Sequence, residues 1–262
     1  MNEPTVISSL LDGVLTITLN RPTVLNALDF PTAEALVQVI QNGKDNDEVR
    51  VVMITGAGRG FCIGGDMKAL WEHVQHGGNA SHYLRDLTVL LHRITLDLRL
   101  IEKPVIAIIN GVASGAGMSY AAACDIRLAG ESALFKQAFT SIGLTPDSGW
   151  TTLVPQIIGP AKACELLLLD PVVDANQAVN LGMVREVIPD ERLVETALEM
   201  ATNLARRPRK ALKGAKALLN ATLLPILVPQ LERERQLIIE QSGTEEFMQQ
   251  LTNFINKQPP RY

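Results

Sequence analysis

Aromatic residues and cysteines are scarce in this 262-residue chain. Aromatic side chains make up 4% of the residues while hydrophobic residues make up 47%, so the core must be built mainly from aliphatic side chains. The cysteines, Cys62, Cys124 and Cys164, are widely spaced in apolar surroundings. This pattern excludes a dense disulfide framework and a cysteine-rich metal site, and it favours reduced cysteines packed in the core.

Positive charge is not in excess either, since the formal net charge is −4. That balance gives no reason to expect general binding to nucleic acid or to an anionic membrane surface. We find no apolar run of transmembrane length, no signal peptide or Arg-rich transit segment, and no peroxisomal signal. We therefore expect a soluble, cytoplasmic protein that makes no contact with a membrane.

Segments typical of strands alternate with segments typical of helices as far as about residue 190. The Asp12-Gly13 pair between two alternating apolar runs predicts a β-hairpin at the start. This alternation predicts an α/β core in residues 1–190 and an all-helical region in residues 191–262. The apolar faces of the last helices would cover the core of their own chain or of a neighbouring chain. In that region we predict helices at about 191–205, 208–221, 226–241 and 245–256.

Two segments share one design: a buried strand, a glycine-rich turn and then the start of a helix. They are residues 51–67 and 105–119. The first N–H groups of a helix have no partner within it, so they attract negative charge, and two convergent donors would form an oxyanion hole. The alternative is that the glycines merely form turns. The pattern alone leaves open whether the bound group is a phosphate, a carboxylate or an enolate.

Several short motifs occur along the whole chain. They are Asn-Arg-Pro through Asn-Ala-Leu at 20–28, Phe-Cys-Ile-Gly-Gly-Asp-Met at 61–67, the Asn-Gly-rich segment at 109–117, Cys-Asp-Ile-Arg at 124–127, and Phe254 with Pro-Arg-Tyr at 260–262. Together they resemble the motifs of the crotonase (enoyl-CoA hydratase/isomerase) superfamily. The resemblance implies a spiral of repeated ββα turns, followed by C-terminal helices that build trimers, often paired as hexamers.

The resemblance also implies an acyl-CoA substrate, with no cofactor beyond the CoA that the substrate carries. Its thioester oxygen would accept hydrogen bonds from the backbone N–H groups of Gly65 and Ala116. Ala116 stands where many members have glycine, but a backbone donor survives that change. The expected substrate contacts and pocket-shaping residues are Val24, Ala27, Ile63, Asp66, Met67, Val112, Gly115, Ala138, Phe139, Ile142 and Trp150. For Asp66, a helix cap is the alternative role.

The family's hydratases use two glutamates, and this chain has Ser119 and Phe139 at the corresponding positions. Hydration of an enoyl thioester needs a positioned acid and base for water, so the resemblance does not favour a hydratase.

Asp147 lies where some branches of the family carry a catalytic aspartate. Residues 138–139 and 146–149 look most like those of 1,2-epoxyphenylacetyl-CoA isomerases and Δ3-Δ2-enoyl-CoA isomerases. One carboxylate suffices for a 1,3-proton shift, because it can take a proton from C2 and return it at C4. From the residues alone, Asp147 could instead cap a helix that begins at Ser148. We rank the acyl-CoA isomerase first.

Other functions stay open. The same aspartate position serves as a nucleophile in 4-chlorobenzoyl-CoA dehalogenases, which carry an aromatic residue at the position of Phe139. A basic cluster at 206–210, with Lys213 and Lys216, leaves a non-catalytic acyl-CoA- or RNA-binding protein as a rival, although a solvated helix face or a position near the CoA phosphates is the favoured explanation. We expect no metal site, since His73 and His76 lie one helical turn apart without an evident third ligand. His82 and His92 are expected to be solvated or simply helical.

Overall fold

The computed structural model describes residues 3–256, so the predicted motif at 260–262 lies outside the described residues. The strands are β1 (Val6–Leu11), β2 (Val14–Leu19), β3 (Val51–Gly56), β4 (Gly60–Cys62), β5 (Val105–Ile109), β6 (Val112–Ser114), β7 (Ile126–Gly130), β8 (Leu134–Lys136), β9 (Val173–Asp174) and β10 (Glu186–Ile188). The helices are α1 (Phe30–Asp45), α2 (Met67–Gln75), α3 (Ala80–Leu100), α4 (Ala116–Ala123), α5 (Trp150–Ile158), α6 (Pro160–Leu169), α7 (Ala175–Asn180), α8 (Leu193–Ala205), α9 (Arg209–Ser242) and α10 (Glu245–Asn256).

The strands form two sheets whose orders are β1-β2-β3-β5-β7-β10 and β4-β6-β8-β9. β1 and β2 form the predicted antiparallel hairpin through Asp12 and Gly13, whose φ angles are 50° and 79°. Strands β3, β5 and β7 enter the larger sheet, and the strand that follows each of them enters the smaller one. Each turn of the chain therefore adds one strand to each sheet before a helix, which is the predicted ββα spiral.

The central strands of the larger sheet are buried on both faces. β3 and β5 are almost entirely apolar and buried, as is typical of central parallel strands covered on both sides. One face packs against Leu193, Ala197 and Ala201 of α8, and the other faces the main core. The first helix after residue 190 therefore covers the sheet of its own chain.

One continuous helix, α9, replaces the two helices predicted at 208–221 and 226–241. The predicted break lay between residues 221 and 226, and Pro225 and Pro229 each lack the N–H group that would bond to the preceding turn. In the structure, Leu223, Leu227 and Leu231 form a buried stripe at a spacing of four residues. Packing of this stripe holds the helix together through both prolines, so the predicted break is wrong.

By length and composition, α9 could cross a membrane, with a mean hydropathy of 1.4 in an 18-residue window that is 22% buried. This helix contradicts our expectation that no apolar segment reaches that length. The core helix of a soluble protein can meet the same criterion. Here α9 buries the polar side chains of Asn220 and Glu234 against the rest of the chain, while most of its apolar window is not buried within the single chain.

Much of the predicted basic cluster is paired with acids. Lys216 is buried, and its ammonium lies 2.7 Å from a carboxylate oxygen of Asp125. Burial lowers the pKa of Lys216, while Asp125 counteracts that shift. Arg209 pairs with Asp47 at 2.7 Å on the surface. Lys216 therefore joins α9 to the core, and its assignment to a solvated basic face was wrong.

Candidate active site

A cavity with a volume of about 1010 Å³ is bounded by the ends of β6 and β8, by α2 and α3, and by the C-terminal helices α9 and α10. It is large enough for a sizeable small-molecule ligand. Val112 is buried in β6 and does not line the cavity, and neither does Trp150. The predicted site residues that do line it are Val24, Ala27, Ile63, Gly65, Asp66, Met67, Gly115, Ala116, Ala138, Phe139, Ile142 and Asp147.

Gly65 and Ala116 present backbone N–H groups on this wall. Ala116 is the first residue of α4, so its N–H has no acceptor within the helix. Within residues 3–256 the N–H of neither residue finds another acceptor. The turn at Gly64 lies close against this helix start: Gly64 has φ of 84°, and a Cβ there would lie 2.8 Å from the nitrogen of Ala116. Glycine therefore allows the two segments to approach and leaves both donors available.

Asp66 caps α2, as the alternative prediction had it. One carboxylate oxygen accepts hydrogen bonds from the N–H groups of Lys68 and Ala69 at 3.1 and 3.0 Å. The other oxygen pairs with Arg21 at 2.9 Å, and Arg21 also contacts Asp29. The Asp66 carboxylate is thus occupied in holding the entrance of the cavity, which gives the Asn-Arg-Pro motif a structural role.

Asp147 faces a histidine that the sequence did not associate with it. The Nε2 atom of His92 on α3 lies 2.5 Å from Oδ1 of Asp147, and both side chains are buried. Our expectation that His92 would be solvated or simply helical missed this contact. The available signal was periodicity, because Leu84, Leu87, Thr88 and Leu91 line the cavity from the same face of α3.

The capping alternative for Asp147 was wrong. α5 begins at Trp150, its N-cap is Gly149, and no side chain caps it. Asp147 lies on the turn before the helix, where Ser148 and Gly149 have φ angles of 60° and 84°. A non-glycine residue in this region is strained and persists only when its surroundings fix it.

Three parts of the chain fix this turn. The hydroxyl of Ser119 on α4 donates to the carbonyl oxygen of Asp147 at 3.0 Å. Thr95 on α3 donates to the carbonyl oxygen of Ser148 at 2.9 Å. From α9, the carboxylate of Glu234 accepts a hydrogen bond from Gly149 N–H at 2.7 Å. Ser119 thus supports the turn and does not line the cavity.

Glu234 is a buried acid that the sequence analysis missed. Burial raises its pKa to about 7, the charge of Asp147 adds to that shift, and hydrogen bonds from Thr151 and Gly149 oppose it. The sequence around Glu234 gave no indication of this role, because Gly149, which donates to Glu234, lies 85 positions away in the chain.

His92, Asp147 and Glu234 bring one imidazole nitrogen and two carboxylate oxygens within 4.8 Å of one another. Such a donor set suits Zn²⁺ by composition. However, His92 and Asp147 contact each other directly, and both oxygens of Glu234 accept hydrogen bonds from Gly149 or Thr151. The three side chains are therefore arranged by hydrogen bonds to each other and to the turn, rather than as ligands around one metal ion.

The end of the chain contributes to the cavity wall, which the sequence analysis did not anticipate. Ile238 of α9 and Gln250, Asn253, Phe254 and Ile255 of α10 line the cavity. Phe247 of α10 is fully buried and anchors this helix. The wall therefore combines residues from both sides of the predicted boundary at 190.

Known proteins resemble the chain over its whole length. The family model for enoyl-CoA hydratase/isomerase matches residues 10–262. The chain is 34% identical over 257 residues to 1,2-epoxyphenylacetyl-CoA isomerase from Escherichia coli (strain K12), covering 98% of this chain and 97% of the relative. It is also 34% identical to a probable enoyl-CoA hydratase from Rhodobacter capsulatus, covering 100% and 99% of the two chains.

The fold can be compared with a solved structure, an enoyl-CoA hydratase from Mycobacterium avium subsp. paratuberculosis K-10. The TM-score is 0.86 at 30% identity, and the match covers 96% of this chain and 99% of the other. This agreement confirms the predicted α/β fold, a crotonase-type spiral core with C-terminal helices.

Proposed function

Because the chain belongs to the enoyl-CoA hydratase/isomerase family, we propose that it is an acyl-CoA isomerase that works through an enolate of the CoA thioester. The observation that carries this proposal is the buried carboxylate of Asp147 in a cavity that is also lined by Gly65 and Ala116, whose backbone N–H groups have no other acceptor among residues 3–256. Asp66 is occupied by its cap and by Arg21, and Glu72 is an exposed residue of α2. Asp147 is thus the acid best placed to move a proton.

In the proposed reaction, the N–H groups of Gly65 and Ala116 donate to the thioester oxygen. Asp147 removes a proton from C2, and the negative charge moves onto that oxygen, where preorganised donors stabilise it most. The protonated Asp147 then returns the proton at C4, which shifts the double bond from C3–C4 to C2–C3. The hydrogen bond with His92 orients the carboxylate between these two positions. Enoyl-CoA and 1,2-epoxyphenylacetyl-CoA are the substrates we propose to test.

A hydratase is less well supported, although relatives with that name match the chain equally well. Ser119 and Phe139 occupy the positions of the family's two glutamates. Ser119 is fully buried with its hydroxyl directed to a backbone carbonyl, and Phe139 supplies an apolar wall. Neither side chain can act as an acid or base toward water.

The contact between His92 and Asp147 favours a second candidate, a dehalogenase-like hydrolase of aryl-CoA. In that reaction an Asp147 oxygen would attack the ring carbon, and the halide would leave as an aryl ester forms. Water would then cleave the ester, with His92 accepting its proton. The RNA-binding alternative loses support because Lys216 and Arg209 are paired with acids.

The test compares the wild type with Asp147→Asn on a 3-enoyl-CoA in deuterated water. We expect isomerisation with solvent exchange, and a loss of about 100-fold or more in the variant. Asp174→Asn is the matched control, because Asp174 caps α7 and lies outside the cavity lining. Equal rates for wild type and Asp147→Asn would refute the assignment.

A second assay separates the hydrolase. With 4-chlorobenzoyl-CoA in ¹⁸O-water, a carboxylate nucleophile would yield chloride and carry the isotope into Asp147 over repeated turnovers. Chloride release without isomerase activity would refute the isomerase proposal and support the hydrolase instead.

We also propose that the protein is cytoplasmic, needs no cofactor besides the CoA of its substrate, and assembles as a homotrimer or hexamer. Support for assembly comes from the exposed apolar side chains of α9, with Leu218 and Leu219 exposed by 75% and 69%. Such a contiguous apolar surface is typical of an interface. Sedimentation velocity at several concentrations tests this proposal, and a monomer at all of them would overturn it.

A further inference from the structure

Glu234 connects the C-terminal helix to the turn that carries Asp147. Its side chain is 2% exposed. One carboxylate oxygen accepts from the N–H of Gly149 at 2.7 Å, and the other accepts from the N–H of Thr151 at 3.0 Å and from the Thr151 hydroxyl. The Thr151 oxygen in turn accepts from Gln230, one turn earlier on α9. Three donors from one short segment thus converge on a single side chain.

These contacts fall where the backbone most needs support. Ser148 and Gly149 both have positive φ, and Glu234 binds the turn immediately after Ser148. Without this carboxylate the N–H of Gly149 would be buried without a partner, since Glu234 is its acceptor. Relaxation of the turn would therefore move Asp147, the adjacent residue on the other side of Ser148.

The ionisable groups that face Glu234 are few. His92 approaches from α3 and Asp147 from the turn. A ring nitrogen of His92 and one carboxylate oxygen each from Asp147 and Glu234 lie within 4.8 Å of one another. The contacts from α5 and from α9 itself are neutral, Thr151 and Gln230. The charge on Glu234 therefore interacts mainly with His92 and Asp147.

We propose that Glu234 is a positioning residue: its carboxylate fixes the turn at 148–151 from the C-terminal helix and so sets how Asp147 meets His92 and the substrate. The inference rests on the proposed role of Asp147 as the proton-transfer group. Glu234 does not line the cavity, so it acts through the turn and not on the substrate.

The ionised carboxylate is the form that fits this role. It offers acceptor sites to all three donors, whereas the protonated acid turns one oxygen into a donor beside N–H and O–H groups. Since burial raises the pKa of Glu234 to about 7, the ionised form that accepts all three hydrogen bonds becomes the main form as the pH rises through neutrality, at a cost to the stability of the fold.

The kinetic test uses Glu234→Gln, Glu234→Asp and the control Glu240→Gln, which removes the same charge from an exposed position on the same helix. With a 3-enoyl-CoA, we expect kcat to fall about 10- to 100-fold in both Glu234 variants, while KM changes less than about twofold. We expect the wild-type kcat to rise through about pH 7 and this limb to vanish in Glu234→Gln. A lower stability with unchanged kcat and an unchanged pH profile would overturn the proposal.

Amide hydrogen exchange provides a readout that needs no turnover. In the wild type, protection of the Gly149 and Thr151 amides relative to other buried amides should fall about tenfold as the pH rises through neutrality, because opening of the turn returns Glu234 to water, where it loses its proton more readily. In Glu234→Gln this protection should be low at every pH. The wild-type measurement decides the matter even if the Gln variant does not fold. If the wild type fails to isomerise any 3-enoyl-CoA while this exchange pattern appears, the isomerase proposal fails, and the proposal that Glu234 fixes the turn stands. If exchange of these amides depends neither on pH nor on the residue at position 234, the proposal that Glu234 fixes the turn is refuted.

Discussion

Neutralising Glu234 should remove a pH dependence from the stability of the protein. A glutamate with a pKa near 4.5 in the unfolded chain titrates at about 7 in the folded protein. The folded state therefore holds this proton more tightly than the unfolded state does. The stabilisation is complete below the unfolded pKa and is lost as the pH rises through the folded pKa.

The magnitude follows from the two pKa values. A change from 4.5 to about 7 corresponds to about 3 kcal/mol of unfolding free energy between acid and alkaline conditions. This contribution arises because the ionised carboxylate gives up water for three hydrogen bonds, and Asp147 adds a second negative charge nearby. Glu234→Gln has no proton to lose in this range and should lack the decline.

The assay is urea unfolding of wild type and Glu234→Gln at fixed protein concentration, from about pH 4.5 to about pH 8. The difference in unfolding free energy between the two proteins should change by about 3 kcal/mol over this range, with most of the change between pH 5 and 7. Glu240→Gln should follow the wild type. A difference that does not vary with pH would refute the reasoning, because it would mean that Glu234 titrates alike in both states.

Two further changes test the fold and the proposed oxyanion hole. Asp125→Asn leaves the buried ammonium of Lys216 without its counter-charge, so unfolding free energy should fall by about 3 kcal/mol in urea titrations, whereas the exposed Glu186→Gln should change it by less than about 0.5 kcal/mol. An equal response of the two variants would contradict the role of Asp125. Ala116→Pro removes one N–H at the first position of α4, where proline is tolerated, so kcat should fall about 100-fold while Ala116→Ser, which keeps the N–H, stays near wild type. A proline variant that is folded and fully active would show that this N–H does not bind the thioester oxygen.

Features that depend on neighbouring residues could be predicted from the sequence. The Asp12-Gly13 hairpin and the cap of Asp66 on α2 are formed by residues within a few positions of each other. The buried strands β3 and β5 were evident from their continuous apolar runs. In each case the local pattern and the packing favour the same structure.

The errors arise where packing overrides a local rule. Proline at 225 and 229 normally ends a helix, yet α9 continues because its leucine stripe is buried against the core. The free energy of that burial depends on residues far away in sequence, so no local window contains it.

The partners of Asp147 were missed for a related reason. His92 lies 55 positions before it, and Glu234 lies 85 positions after the neighbouring Gly149. Correspondence with a family motif could single out Asp147 as a candidate, but it could not show which buried groups surround that residue. Only the folded chain brings α3, the turn and α9 together.

The wide separation of Gly149 and Glu234 has a consequence for the time at which the site is completed. The 85 positions between them take roughly 4 to 17 seconds to synthesise at typical translation rates. During that interval the spiral core can form while the turn at Ser148 lacks its carboxylate anchor and the cavity lacks the walls supplied by α9 and α10. A growing chain on the ribosome thus carries an incomplete cavity until α9 and α10 have been synthesised.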